Sequence, residues 1–197
     1  KPLNTYFMPR KKAPYTPPPP IPRQPATGDD FVDNMAERIL RMQQELLGPA
    51  LIFQRERVHN TLVFFGSAQI VGEKAAQARM RAFKQKYKNV KRRTAKYYEE
   101  LDAATNSLHM SRYCTEAEEL AYKFAQWSNQ WDDPRKQYLI TSGGGPGIME
   151  AANKGAHRAG GRTIGLSITI PTEQESNHYI TPELDLHFHY FLMRKLW

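Results

Sequence analysis

The residues best able to do chemistry are Ser142-Gly143-Gly144-Gly145-Pro146-Gly147, followed directly by Ile148-Met149-Glu150. Three consecutive glycines cost backbone entropy and give a core nothing to pack against, so a geometric reason for them is expected. A tight turn that exposes backbone N–H groups to an anion supplies that reason, because Pro146 and Gly147 lead into a helix whose first amides add to the same positive field. The chemistry expected is capture of a 5′-phosphate by Ser142, Gly143, Gly144, Gly145, Gly147, Ile148 and Met149; a purely structural turn is the alternative. No Lys-Ser/Thr pair follows the glycines, and their spacing is not the dinucleotide fingerprint, so neither a P-loop nor that motif is read here.

Other side chains could complete such a site. Glu150 falls in the first turn of the helix, where its charge suits the dipole but would repel a phosphate in the same pocket; a ribose hydroxyl or a cation is the better partner. Gly66 permits close backbone approach, and Ser67 can hydrogen-bond a phosphate or base or simply cap the next helix. Glu173, Gln174 and Asn177 lie in a polar stretch from Thr172 to Pro182 that reads as a surface loop able to line the pocket. Arg194 offers planar, bidentate recognition of phosphate, and Lys195 beside it offers a point charge. His187 and His189 alternate with aromatics, but no compatible acid or cysteine is suggested nearby, so no metal site is read. Cys114, the only cysteine, excludes an intrachain disulfide and reads as a small core residue in a helix.

These residues need a scaffold. Thr61 to Phe65 is a β-branched and aromatic run ending at Gly66, the pattern of a buried strand opening into a loop, and open α/β sheets keep ligands at such strand ends. Tyr138 to Thr141 is the next strand, running into the glycine turn and its helix; Thr163 to Ile168 is another, completing a βαβ unit with an expected right-handed crossover. Leu186 to Phe191 is a strand or short extended segment. A helix capped by Asp29 or Asp30 carries Phe31, Met35, Ile39, Met42 and Leu46 on one face, and Gly48-Pro49 is expected to end it. Another runs from about Thr115 to Trp131 with a broad apolar face, on which Trp127 and Trp131 are packing residues rather than base platforms. Between Glu73 and Thr105 the spacing of Met80, Phe83, Tyr87, Val90, Tyr97, Leu101 and Ala104 predicts one long helix, interrupted in its seam by Thr94.

Charge and composition restrict the partners. The chain has 197 residues and a formal charge of +8, which would favour nucleic acid or an anionic membrane if it covered one surface. Residues 1–28 carry five Lys/Arg and no acid, and residues 73–105 carry ten against four; the rest is net negative. The basic character therefore belongs to a proline-rich tail and one helical arm, and a nucleic-acid partner is not demanded. Residues 1–28, with Pro17 to Pro20, read as an extended tail, and residues 29–197 as one domain with a helical insertion at 73–105. No apolar run is long enough to span a bilayer and no apolar signal segment opens the chain, so a cytoplasmic protein without membrane association is expected.

The GGGPGIMEAANKGA stretch, the Phe64 to Ala68 strand end, the Gly-Leu-Ser-Ile-Thr-Ile-Pro segment and Phe188 to Lys195 together resemble the LOG family of Rossmann-like proteins, in its longer, nucleotide-nucleosidase-like form. The similarity covers roughly residues 60–72 and 110–197. It implies an α/β, Rossmann-like parallel sheet with flanking helices, to which the basic helical arm is an addition. It also implies hydrolysis of the N-glycosidic bond of a purine nucleoside 5′-monophosphate, AMP or a cytokinin nucleotide, to free base and ribose 5-phosphate. Arg194 matches the arginine of the family's Arg-Lys pair and would be catalytic or orient the nucleotide, with Glu150 able to approach the sugar. No cofactor is implied, and homodimers or larger homo-oligomers are. The family's PGGxGT loop and its glutamate, which follow the Arg-Lys segment, do not occur in these residues, so the resemblance makes activity depend on that part being supplied. The rival reading is a non-catalytic nucleotide-binding or structural subunit. Lysine decarboxylation is disfavoured, since no lysine sits in a recognisable pyridoxal phosphate context.

Overall fold

The computed structural model describes residues 35–90, 92–169 and 176–197. The expectations for the tail, for Asp29, Asp30 and Phe31, and for Glu173 and Gln174 lie outside the described residues.

Four strands form one parallel sheet in the order β1 (Asn60–Phe64), β2 (Tyr138–Ser142), β3 (Thr163–Ile168) and β4 (Asp185–Phe188). Side chains alternate between the faces of a strand, and β2 shows this directly. Leu139 joins Ile164, Leu166, Leu184, Leu186 and Phe188 on one face, covered by Ile52 and Phe53 of α1 (Met35–Arg55) and by Met193 of α6 (Phe191–Leu196). Ile140 joins Leu62 and Phe64 on the other, under Ala121 and Ala125 of α4 (Arg112–Ser128) and Ala152 and Ala156 of α5 (Ile148–Arg158). The result is a Rossmann-like α/β arrangement with helices on both faces. The small residues on α4 and α5 let the two helices approach closely, and at Gly155 a Cβ would collide with the backbone carbonyl of Glu118.

Three expectations are corrected. Gly48-Pro49 does not end the first helix: α1 runs on to Arg55 with Pro49 inside it. An interior proline costs one backbone hydrogen bond and some strain, which is offset here because continuing the helix brings Ile52 and Phe53 onto the sheet. The single helix from Glu73 to Thr105 is two, α2 (Glu73–Lys86) and α3 (Ala95–Met110). Tyr87 leaves helical geometry and Thr94 is extended, entering α3 as its N-cap residue. The cations packed between Lys84 and Lys96 have no intervening acid, so continuing the helix would stack like charges three and four residues apart. The apolar residues that suggested a seam instead hold the two helices together, with the Phe83 and Tyr87 rings 5.3 and 4.9 Å from the Tyr97 ring. The third correction is one of degree: Trp127 packs edge-on against Phe124 and beside Tyr138, but it and Trp131 both remain exposed.

At its outer side β1 has no strand neighbour among the described residues. Val63 is exposed there, and Phe65, just past the strand, is 92% exposed. No helix among the described residues is long and apolar enough to cross a membrane.

Candidate functional site

The glycine turn sits at the carboxyl end of β2, where a parallel sheet offers a ligand crevice. Its conformation requires glycine at two positions, Gly144 (φ 76°) and Gly147 (φ 74°), which lie in the left-handed region. Both are also crowded: a Cβ on Gly144 would overlap the Ser167 hydroxyl, and one on Gly147 would overlap the Ser67 carbonyl oxygen.

A buried amide network fixes the turn from inside. The Ser142 hydroxyl donates to Asn153 Oδ1 at 2.6 Å and accepts the Gly144 N–H at 3.0 Å. Asn153, on α5 and fully buried, donates to the Ile164 carbonyl at 3.4 Å. Asn177 reaches over from the loop after β3. Its Nδ2 approaches the carbonyls of Gly144 and Gly145 at 3.0 and 3.2 Å and Asn153 Oδ1 at 3.1 Å, and its backbone N–H donates to the Gly144 carbonyl at 2.8 Å.

This bracing decides which amides face outward. In a trans peptide the carbonyl of one residue and the N–H of the next point oppositely; because the Gly144 carbonyl turns in toward Asn177, the Gly145 N–H turns out. The Gly144 N–H is committed to Ser142, and the Ile148 N–H to the Ser67 carbonyl at 3.3 Å. Pro146 has no N–H. Among the described residues, the amides of Gly143, Gly145, Gly147, Met149 and Glu150 take no part in the backbone hydrogen bonds outside regular elements, and they are the donors left for an anion around the start of α5.

Arg194 comes to the same place from α6. Its Nε donates to the Leu166 carbonyl at 2.7 Å, and its guanidinium lies so close to Gly143 that a Cβ there would strike Nη2. Burial holds the guanidinium below its ordinary pKa, yet an arginine remains a cation at any physiological pH. Met149 presses its sulfur on Gly143 from α5, and Gly66 is stripped of a side chain where Ile148 packs on it.

The structure thus brings Gly66, the glycine turn, Ile148, Met149, Asn177 and Arg194 together. The side chains of Ser142 and Asn177 work as internal braces; the Ser67 carbonyl caps α5 while its hydroxyl accepts the Gln69 N–H at 3.1 Å. Lys195 is exposed, and no contact joins it to the turn among the described residues. Glu150 is half-buried on the α4 side, where its charge helps raise the Cys114 thiol pKa after the larger effect of burial. No described contact links Glu150 to Arg194. Cys114 is a buried helical residue, its thiol 3.2 Å from the Ile70 carbonyl.

The histidines do find acids, contrary to the expectation of none nearby: His187 lies 3.1 Å from Asp185 and His189 3.2 Å from Glu45. Each pairs with a different carboxylate, and no group of three metal-ligating side chains forms among the described residues. Sequence reasoning missed Asn153, Ser167 and Glu45. For Asn153 a signal existed, since an amide amid Ala151, Ala152 and Ala156 must be partnered if that face is buried. A cavity of about 190 Å3 lined in part by Asn129, Gln137 and Arg162 lies at the opposite, amino end of the strands, away from the edge where such sheets bind ligands.

A parallel sheet with helices on both faces and a braced glycine turn at its carboxyl edge defines a Rossmann-like α/β architecture. A family model described as the SLOG cluster4 family matches residues 112–188, from α4 through β4. The match links the chain to the broader SLOG and LOG-like group and supports a nucleotide-binding or nucleotide-processing role in general terms. It includes the glycine turn and Asn177 and stops before Arg194. No curated protein matches the chain.

Proposed function

We propose that this chain hydrolyses the N-glycosidic bond of a purine nucleoside 5′-monophosphate, AMP or a cytokinin nucleotide, releasing free base and ribose 5-phosphate. The observation that carries the reading is the convergence of the outward Gly145 N–H, the open amides of α5 and the Arg194 guanidinium on one edge of the sheet. Fixed donors of this kind suit the 5′-phosphate. The anchor then contributes binding energy that positions the sugar, and a carboxylate near C1′ with a located water would stabilise the cationic ribosyl species formed as the bond breaks. Glu150 is the candidate carboxylate within the chain. A homodimer or larger homo-oligomer belongs to the same reading; the exposed Leu40, Leu47 and Leu51 of α1 and Leu192 and Leu196 of α6 are apolar surface that an assembly would cover.

One observation favours the rival, a non-catalytic nucleotide-binding subunit: Glu150 lies where its charge acts on the Cys114 thiol of α4. Incubation with AMP, GMP, CMP and isopentenyladenosine monophosphate, followed by chromatography for free base, separates the two. Base release abolished by Arg194→Ala, with binding partly retained, is the expected result. Nucleotide binding without base release refutes the hydrolase, and no binding at all refutes both.

A further inference from the structure

The short helix that delivers Arg194 has no capping side chain of its own at Tyr190. Its start is held by α1 instead. Glu45, 8% exposed, takes the His189 N–H on Oε1 at 2.7 Å and the Tyr190 N–H on Oε2 at 3.2 Å, with His189 Nδ1 also 3.2 Å from Oε1. Both carboxylate oxygens are therefore engaged, and bonds to an ionised acceptor are the stronger kind. Burying a carboxylate is costly unless it is satisfied in this way, so packing alone does not account for a glutamate here. From the clasped residue the line to the site is short. The Tyr190 carbonyl accepts the Arg194 N–H at 3.1 Å, the Arg194 Nε is tied to Leu166, and the guanidinium reaches Gly143.

We infer that Glu45 is a positioning residue for the nucleotide site, clasping the entry to α6 so that Arg194 is laid across the glycine turn. The inference rests on the reading of that turn and Arg194 as a phosphate anchor. Glu45 touches no ligand itself; its effect passes through Arg194, which distinguishes it from a residue that merely supports the fold.

The test is a double-mutant cycle with Glu45→Ala, Arg194→Ala and the pair, each titrated calorimetrically with AMP. Glu45→Ala is expected to weaken AMP binding about tenfold in the wild-type background and less than twofold in the Arg194→Ala background, with Glu45→Gln, which keeps one acceptor oxygen, recovering part of the loss. Equal losses in both backgrounds overturn the inference. A ligand-free measurement accompanies it: amide exchange across residues 189–196 should quicken about tenfold in Glu45→Ala while α5 and β3 keep their protection. Unchanged exchange there overturns the clasp. A wild-type chain that fails to bind AMP defeats the anchor reading and the positioning role with it, while the exchange result still decides separately whether Glu45 holds α6.

Discussion

Replacing Asn153 by alanine removes the centre of the network behind the glycine turn. The side chain is fully buried and serves three partners, accepting from Ser142 at 2.6 Å and Asn177 at 3.1 Å and donating to Ile164 at 3.4 Å. Two well-formed hydrogen bonds contribute about 1 kcal/mol each, and a buried donor left without an acceptor, here the Ser142 hydroxyl, costs about 1–3 kcal/mol more. The third bond is long and adds little. The expected destabilisation is about 3–5 kcal/mol, which for a domain of this size lowers Tm by about 10–15 °C. Urea unfolding followed by circular dichroism measures it, as a fall in the midpoint at constant slope. Because Ser142 also accepts the Gly144 N–H, the double change with Ser142→Ala should cost about 1–2 kcal/mol less than the sum of the two single changes, the Ser142–Asn153 bond being lost only once. A loss below about 1 kcal/mol, or strict additivity of the two changes, would refute the argument that this network sets the turn.

Two glycines allow strain and crowding to be separated. Gly160 (φ 72°) has open space around its Cα, whereas Gly144 (φ 76°) faces the Ser167 hydroxyl; Gly160→Ala should cost about 1 kcal/mol and Gly144→Ala at least about twice that. Equal losses in unfolding experiments would show that Ser167 gives way freely. Cys114 offers a chemical probe. Burial first, then the charges of Glu150 and Glu118, raise its thiol pKa, so at pH 8 it holds less reactive thiolate than a free cysteine. Alkylation of the native protein should be at least about tenfold slower than in urea; equal rates would place the thiol at the surface.

The first three strands were legible because each is a short apolar run bounded by turn residues, and the glycine turn because three glycines in succession have few structural uses; the segment Leu186 to Phe191 was legible only in part, since β4 ends at Phe188 and Phe191 already opens α6. Its anion-facing part was legible only coarsely. That Ser142 and Asn177 point inward depends on Asn153, eleven and twenty-four residues away from them, and no local pattern encodes such a meeting. Apolar spacing misled at residues 73–105, since a seam is read from hydrophobic positions alone and the turn is imposed by the cations between them. Pro49 misled in the opposite sense: a strong local stop signal yielded to the burial of Ile52 and Phe53. The Glu45 clasp, spanning 144 residues to His189, was beyond any reading of neighbours along the chain.

The outer flank of β1, which meets no other strand among the described residues, has a practical corollary. A strand edge with Val63 and Phe65 exposed beside it is a template on which another extended segment can be laid, continuing the ladder outward. An added strand on that flank would keep copies of the chain from pairing edge to edge at high concentration.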